Sequence, residues 1–380
     1  MPATPRLTQV AHLDPVAALE RILTHSELQA DWFAASFLAQ VSLAQVSQIV
    51  QSIQARLGAY QHTTPQANGY LITFERGTVE ARLTLNNRGQ ITGLLFQPPL
   101  LNGLSLADIQ QRFAELPGEV SFLVLADGAP ITSYQAEQPL AVGSAFKLIV
   151  LQALRQQIES GQQRWHTVVR LQPAWRSLPS GILQTWPTDS PITLQTLATL
   201  MISLSDNTAT DALIHLVGQA ALTTLSPRNQ PFLTTRQFFI LKDPQNRALL
   251  ERYRQGNLAI QQQVLDHLAI LPLPAADLFE GEPLALDVEW FLSAEELCAA
   301  IATVADLPLM QVNPGIADPQ DWATVAFKGG SEPGVLNLTT QLQSQDGERC
   351  CVAATWNHSA GIDETEMMAL YRSAIAALAP

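Results

Sequence analysis

The sequence predicts an α+β fold in two domains, a small one over residues 1–117 and a larger one over residues 118–380. The chain has 380 residues, more than one ordinary domain, and 47% of them are apolar, enough to fill two cores. Segments with helical and with strand periodicity come in blocks, which is typical of antiparallel sheets covered by helices. Leu116-Pro117-Gly118 interrupts the pattern and marks the boundary.

The first domain starts with helices and continues with strands. Residues 14–57 carry apolar side chains at helical spacing. Three strand-like segments follow, at residues 70–75, 78–85 and 90–96. Short turns containing Gly77 and Gly89 join them as in hairpins. Helices followed by a curved meander resemble the cystatin or steroid-isomerase (NTF2-like) type of small α+β domain.

The second domain has strands at both ends and helices between them. A hairpin is predicted around Asp127-Gly128, and a long helical stretch with breaks follows over residues 146–305. Three later strands and a closing helix are predicted at residues 324–328, 335–342, 350–356 and 364–378. Early and late strands are expected to share one antiparallel sheet, with the helical block inserted as a subdomain. Binding sites commonly form where such a subdomain meets the sheet.

Composition excludes several classes of function. The formal net charge of -13 leaves no phosphate-neutralising surface, so nucleic acid is not an expected partner. No apolar segment approaches the length of a membrane span. Residues 1–10 lack an apolar leader, which predicts a cytoplasmic protein, or an exported one if a leader has been removed. The three cysteines, Cys298, Cys350 and Cys351, cannot build a disulfide framework and are expected to be reduced and buried.

A first candidate motif is Ser144-Ala-Phe-Lys147, at the start of a strongly apolar helix. A spacing of three places the two side chains on one face, and the helix N-terminus favours a serine alkoxide while disfavouring an ammonium. A desolvated lysine there can be the base that activates the serine. Among 21 Lys and Arg residues only Lys147, Lys242 and Lys328 are lysines, which indicates positions where an amine is needed. The alternative is a capping serine with an incidental lysine.

A second motif, Ser205-Asp206-Asn207, lies between two amphipathic helical segments. As a functional element, Ser205 would relay a proton and the Asn207 amide would face a substrate carbonyl. The alternative is that the three residues only cap the two helices.

A third motif, Lys328-Gly329-Gly330-Ser331, ends a predicted strand. Glycines within a strand often mark a point where another backbone or a ligand comes close. Lys328 would then point into a cleft, and the Ser331 N–H could donate to an oxyanion. The alternative is a simple bulge or the entry to a turn.

Together, S-x-x-K, S-D-N and K-x-G in this order resemble the serine β-lactamase and penicillin-binding protein superfamily, and within it the class A β-lactamases. The likeness covers residues 119–380. It implies that Ser144 is the acylated nucleophile with Lys147 as its base, and that Ser205 relays a proton to the leaving group. It also implies these further roles: substrate binding by Asn207, Gly330 and Ser331, positive potential from Lys328, and an oxyanion hole of the Ser144 and Ser331 N–H groups. The implied substrate is a small ester, amide or β-lactam, and no metal or organic cofactor follows.

Two departures from the family pattern limit this resemblance. Gly329 stands where a threonine or serine is usual, so a hydroxyl for a substrate carboxylate is missing. Class A enzymes also carry a deacylating glutamate after the second motif, whereas residues 234–244 contain none. Asp243 with Asn246 is a strained substitute, and Lys242 would be an odd neighbour for it. Without an efficient base the acyl-enzyme is expected to linger.

Three hypotheses follow. The leading one is a Ser144-dependent acyl-enzyme hydrolase with slow or esterase-like turnover. The second is a true class A-type β-lactamase or a penicillin-binding D,D-peptidase, for which an export signal would be the discriminating feature. The third is a non-catalytic binding protein on the same fold. The two-domain order, Trp290 and Thr235-Arg236 resemble the β-lactamase-like protein of the clavulanic acid pathway, which favours the first. Residues 271–283 are either a solvated loop or a lid over the site.

Overall fold

The computed structural model describes residues 14–379, so the leader prediction for residues 1–10 lies outside the described residues. The chain forms two compact units. The first comprises the residues up to Leu104 together with Met368–Ser373, and the second comprises Ser105–Met367 and the residues from Ala374 onward. The division precedes Pro117 because a helix over residues 106–115 belongs to the second unit, where Phe113 stacks on Phe122 at 4.4 Å.

Within its described residues, the first unit contains three α-helices, a five-stranded antiparallel sheet and a small apolar core. The helices are α1 (Pro15–Thr24), α2 (Ala35–Leu38) and α3 (Leu43–Leu57). The strands are β1 (Tyr60–Gln66), β2 (Gly69–Phe74), β3 (Gly77–Leu85), β4 (Ile91–Phe96) and β5 (Leu100–Leu101). Their order is β1-β2-β3-β4, with β5 paired to β3. The predicted meander is present, and the likeness to cystatin or steroid isomerase stays a prediction.

Helix α3 illustrates why these elements form. Ser42 and Gln45 make a reciprocal capping box at its start, in which the Gln45 N–H donates to Ser42 Oγ and the Ser42 N–H to Gln45 Oε1. Its apolar residues Val46, Val50, Ile53 and Leu57 recur at helical spacing and are buried. Strand β1 escaped sequence prediction because most of its side chains are exposed and polar.

The second unit holds the larger sheet and most of the helices. Its strands are β6 (Glu119–Ala126), β7 (Ala129–Tyr134), β8 (Leu140–Ala141), β9 (Val168–Arg170), β10 (Pro191–Thr193), β11 (Phe291–Leu292), β12 (Thr324–Glu332), β13 (Val335–Gln343) and β14 (Arg349–Asn357). Its helices are α4 (Leu106–Glu115), α5 (Lys147–Glu159), α6 (Leu194–Ser203), α7 (Asn207–Val217), α8 (Gln219–Leu225), α9 (Thr235–Lys242), α10 (Arg247–Gln255), α11 (Leu258–Leu268) and α12 (Ala294–Ala302). The closing helix α13 spans Glu364–Ala376.

The main sheet has the order β12-β13-β14-β6-β7, with every neighbouring pair antiparallel. Strands from both ends of the unit therefore share one sheet, and helices α5 to α12 are inserted between them, as the sequence predicts. The β6–β7 hairpin turns at Asp127 and Gly128, both with positive φ, which is the backbone that an Asp-Gly turn favours. Helix α5 lies at the centre of this unit's core, with Leu148, Ile149, Val150 and Leu151 all buried.

The cysteine prediction is wrong for two of the three residues. Cys298 on α12 and Cys351 on β14 form a disulfide, with their Cα atoms 5.9 Å apart. Only Cys350 is a free, buried thiol. Adjacent strand residues point to opposite faces of a sheet, so Cys351 meets the packed helix while Cys350 faces away. Within the described residues, no helix is long and apolar enough to cross a membrane.

Candidate active site

Ser144 lies in a short 3-10 turn, Gly143–Phe146, that runs directly into helix α5. Its side chain is half-buried, whereas Ala145, Phe146 and Lys147 around it are buried. Packing of these neighbours fixes the turn, so the serine hydroxyl has a defined position at the wall of a cavity.

Lys147 connects the first and second motifs. Its Nζ lies 3.0 Å from Ser144 Oγ, 3.0 Å from Ser205 Oγ, 2.7 Å from the Ser205 carbonyl oxygen and 2.7 Å from Asn207 Oδ1. An ammonium has three N–H donors for these four oxygens. A neutral amine is also compatible with the set, because two N–H groups can serve two acceptors and the lone pair can accept the Ser144 hydroxyl proton.

The electrostatic surroundings favour the neutral amine. The Lys147 side chain is fully buried. Burial lowers its pKa well below the usual 10.5, and the nearby charge of Lys328 lowers the pKa further. Asp211 and Asp206 oppose this shift with smaller effects. The arrangement therefore places beside the serine hydroxyl an amine whose neutral form is favoured by its surroundings.

The second motif links helices α6 and α7. Ser205 has φ +54°, a left-handed backbone that non-glycine residues seldom adopt and that is typical of functional turns. Asp206 caps α7 by accepting from the Ala209 N–H at 2.8 Å, and its other oxygen accepts from the N–H groups of Ile182 and Leu183. The capping interpretation thus holds for Asp206, while Ser205 faces Lys147.

Asn207 is engaged on both sides of its amide. Its Oδ1 accepts from Lys147, and its Nδ2 donates to the Leu178 carbonyl oxygen at 3.0 Å. One N–H of Nδ2 remains for another acceptor, since a side-chain amide has two donors. Asn207 also lines the cavity at Ser144, so this free donor is available to a bound molecule there.

Lys328, on β12, approaches Ser205 from the side opposite Lys147. Its Nζ lies 3.1 Å from Ser205 Oγ and donates to the Gly329 carbonyl oxygen. Burial lowers the pKa of Lys328 to about 7. The Ser205 hydroxyl is therefore held between two buried amines, an arrangement suited to proton transfer.

Glycine is required at position 330 by a close backbone approach. A Cβ there would lie 2.2 Å from the Val142 carbonyl oxygen and 2.3 Å from the Ser144 nitrogen, both impossible distances. At Gly329 a Cβ would lie 2.9 Å from the Asn337 carbonyl oxygen, so the neighbouring strand leaves no room for a threonine. The predicted close approach is confirmed, and it brings the exposed Ser331 beside the turn that carries Ser144.

A cavity of about 620 Å³ lies over these residues and is lined by all three motifs. Aromatic side chains form much of its wall: Phe146, Phe238, Phe239, Phe279, Trp290 and Phe327. Phe279 and Glu280 also line it, so the 271–283 segment contributes to the cavity as well as carrying solvated charges. An apolar cavity with a few polar groups at one end is typical of a small-molecule site.

Thr235 lines the cavity and belongs to the 234–244 stretch, where the family resemblance predicts a carboxylate. The Asp211 carboxylate accepts from the backbone N–H groups of Thr235 and Arg236 at 2.6 and 2.8 Å, which fixes the start of α9 against α7. Thr235 lines the cavity with a hydroxyl that is 2.7 Å from Ser177 Oγ and 2.8 Å from Asp211 Oδ1. Burial raises the pKa of Asp211 to about 7.

Asp243 and Asn246 have structural roles. The Asp243 carboxylate accepts from the Gln245 N–H at 2.9 Å, and Asn246 Nδ2 donates to the Ile240 carbonyl oxygen at 2.8 Å. Neither is among the described residues that line the cavity at Ser144. The substitute base expected at this position is therefore not at the site.

A buried ionic cluster that sequence inspection missed also reaches the cavity. Lys242 Nζ lies 3.0 Å from Glu289 Oε1 and 2.7 Å from Glu332 Oε1. The side chains of Lys242 and Glu289 are fully buried, and that of Glu332 is 16% exposed. All three lysines of the chain are thus buried, and the scarcity of lysine was the one sequence signal for this cluster.

Comparison with known proteins agrees with this geometry. Residues 106–235 match the model of the beta-lactamase enzyme family. Among curated proteins no match is found. A β-lactamase from Sphaerobacter thermophilus DSM 20745 is similar in structure at 18% identity, over 71% of this chain and 93% of that one, with a TM-score of 0.50.

Two further similar structures have slightly lower scores. PBP-A is 17% identical over 71% of this chain and 93% of its own, with a TM-score of 0.49. A β-lactamase from Xanthomonas campestris pv. campestris str. ATCC 33913 is 16% identical over 73% of this chain and 98% of its own, with a TM-score of 0.49. Residues 106–235 thus carry the match to the beta-lactamase enzyme family, and the chain shares the fold of the Sphaerobacter β-lactamase over 71% of its length. These matches agree with the predicted superfamily and confirm the predicted fold of the second unit.

Proposed function

We propose that the protein is a hydrolase that forms an acyl-enzyme on Ser144, with Lys147 as the base. The observation that carries this proposal is the buried Lys147 amine at 3.0 Å from Ser144 Oγ, in surroundings that favour its neutral form. A fold kept only for binding has no need of a desolvated amine at this position. The desolvated amine of Lys147 therefore also speaks against a non-catalytic binding protein.

Acylation follows one proton path. Lys147 takes the Ser144 hydroxyl proton as Oγ attacks the substrate carbonyl carbon, and the oxyanion is stabilised by the N–H groups of Ser144 and Ser331. The tetrahedral intermediate then collapses, and the bond from the carbonyl carbon to the leaving nitrogen or oxygen breaks. Lys147 returns the proton to that leaving atom through Ser205, whose Oγ is 3.0 Å from its Nζ. Lys328 stabilises charge at Ser205, and Asn207 holds the substrate amide through its free N–H.

The cavity supports a small ester, amide or β-lactam as substrate. Its aromatic wall suits an apolar acyl group. Gly329 supplies no hydroxyl for a substrate carboxylate, which favours neutral esters over penicillin-like acids. Thr235 has no carboxylate, and Asp243 does not line the cavity, so neither residue activates a water at Ser144. Deacylation is therefore expected to be slow, so that the acyl-enzyme accumulates.

The disulfide bears on where the protein works. Disulfides persist mainly in oxidising compartments, so the Cys298–Cys351 bond favours an exported protein over a cytoplasmic one. An exported location would also keep the penicillin-binding peptidase alternative open, because its substrate lies outside the membrane.

Intact-protein mass spectrometry tests the proposal. Wild type and Ser144→Ala are each exposed to a penicillin and, separately, to a short p-nitrophenyl ester. We expect a persistent adduct of the acyl mass on the wild type alone. Equal labelling of both proteins, or no adduct and no product with either compound, would refute a Ser144 acyl-enzyme.

A further inference from the structure

Strand β12 carries an ionisable residue on either side of the point at which it contacts Ser144. Lys328, Gly330 and Glu332 alternate with Gly329 and Ser331, so they face the same side of the sheet. Gly330 lies directly against the Ser144 nitrogen. At about 3.3 Å per residue, Lys328 and Glu332 then lie about 7 Å along the strand on either side of that contact.

The two sides differ in chemistry. On one side Lys328 meets Ser205 and Lys147, the groups of the acylation path. On the other side Glu332 meets Lys242 from α9 and Glu289 from the segment before β11. Ser144 therefore lies between two clusters, and each of them reaches the same cavity: the first through Ser205 and Lys328, the second through Glu289 and Glu332.

Glu332 is the best placed carboxylate in this cavity. Of the described residues that line it, Glu280, Glu289 and Glu332 carry carboxylates. Glu289 has no exposed side-chain surface, and Glu280 belongs to the exposed 271–283 segment. Glu332 follows the oxyanion-hole residue Ser331 directly and keeps 16% of its side chain accessible.

We propose that Glu332 is the general base of deacylation and that Lys242 and Glu289 position it, an inference that rests on the proposed Ser144 acyl-enzyme. Glu332 takes a proton from water as the water oxygen attacks the ester carbonyl carbon. The tetrahedral intermediate then collapses, the bond from that carbon to Ser144 Oγ breaks, and Oγ receives the proton from Glu332. The carboxylic acid product leaves with both enzyme groups restored.

The charges around Glu332 set the pH at which it can act. Burial and the neighbouring Glu289 carboxylate raise its pKa to about 9, against the opposing effect of Lys242. Glu280 lines the same cavity, and Lys328 lies on the same strand. A raised carboxyl pKa leaves little ionised base at neutral pH, so deacylation is slow there and accelerates as pH rises towards about 9.

The experiment separates acylation from deacylation. Wild type and Glu332→Gln are acylated with a short p-nitrophenyl ester, freed of excess ester, and followed by intact mass between about pH 6 and about pH 10. Both should form the Ser144 adduct at similar rates. The wild type should then lose the adduct at a rate that rises with pH and levels off. Glu332→Gln should lose the adduct about 100-fold or more slowly, and its rate should show no plateau.

Glu289→Gln is the matched variant, since it changes one carboxylate of the same cluster. Removing that negative charge should lower the pKa of Glu332 and shift the deacylation profile to lower pH, which a purely structural role would not do. Adducts that decay alike in Glu332→Gln and wild type would overturn the inference and leave Ser144 acylation intact. A wild type that forms no adduct would refute the acyl-enzyme itself.

Discussion

Replacing Lys147 by arginine keeps the positive charge but removes the amine lone pair that a base needs. Lys147 Nζ lies 3.0 Å from Ser144 Oγ, and its burial favours the neutral amine. A guanidinium keeps its proton at any working pH and has no lone pair to accept one. Lys147→Arg should therefore slow acylation on the order of 10⁴-fold, about 5.5 kcal/mol in activation free energy, and nearly match Ser144→Ala.

The assay is the burst of p-nitrophenol as a short activated ester acylates the protein, followed in parallel by intact mass. Thermal unfolding of each variant shows whether it folds, because a permanent buried charge costs stability by itself. Lys147→Met provides the matched control, since it keeps the length and burial of the side chain without a charge. It should acylate as slowly as Lys147→Arg and remain better folded.

Two results would show that Lys147 does not act as the base. If Lys147→Arg acylates within about tenfold of the wild type, positive charge alone is sufficient and Lys147 is not the base. If Lys147→Met is active while Lys147→Arg is not, the arginine acts through misfolding, and the lone-pair argument fails as well.

Two other expectations concern charge and cross-linking. Lys328 lines the cavity, so its positive charge is expected to attract a carboxylate on the substrate. Its pKa is about 7, so KM for a substrate with a carboxylate should rise up to about tenfold from pH 6 to pH 8, as the charge is lost. KM for the methyl ester of the same substrate should not show this rise. Identical pH profiles for acid and ester would contradict this role. Removing the disulfide with Cys298→Ala and Cys351→Ala should lower the free energy of unfolding by about 4 kcal/mol, from the 53-residue separation. Thermal and urea unfolding measure it, Cys350→Ala is the control, and an unchanged stability would contradict it.

The β6–β7 hairpin and the first motif were predictable because local signals determine them. The Asp127-Gly128 turn predicts the β6–β7 hairpin, and a spacing of three predicts that Ser144 and Lys147 meet. Gly330 was recognisable as a point of close approach, since a strand seldom keeps a glycine without such a cause.

Contacts between distant segments were not predictable in the same way. Lys242 and Glu332 are 90 residues apart, and no periodicity or turn signal links α9 to the end of β12. The Cys298–Cys351 pair is separated by 53 residues and depends on how α12 packs on the sheet. The family pattern predicts a base in the loop after the second motif, where Asp243 lies, whereas the carboxylates that line the cavity come from other elements.

All the roles proposed for this site depend on acylation of Ser144. Peptide mapping of the wild type after a brief exposure to an activated ester locates the acyl group. We expect the acyl mass on the peptide that contains Ser144, and its absence from the same peptide of Lys147→Arg. An acyl group found on another residue, or on the Ser144 peptide of both proteins alike, would contradict acylation of Ser144 by way of Lys147.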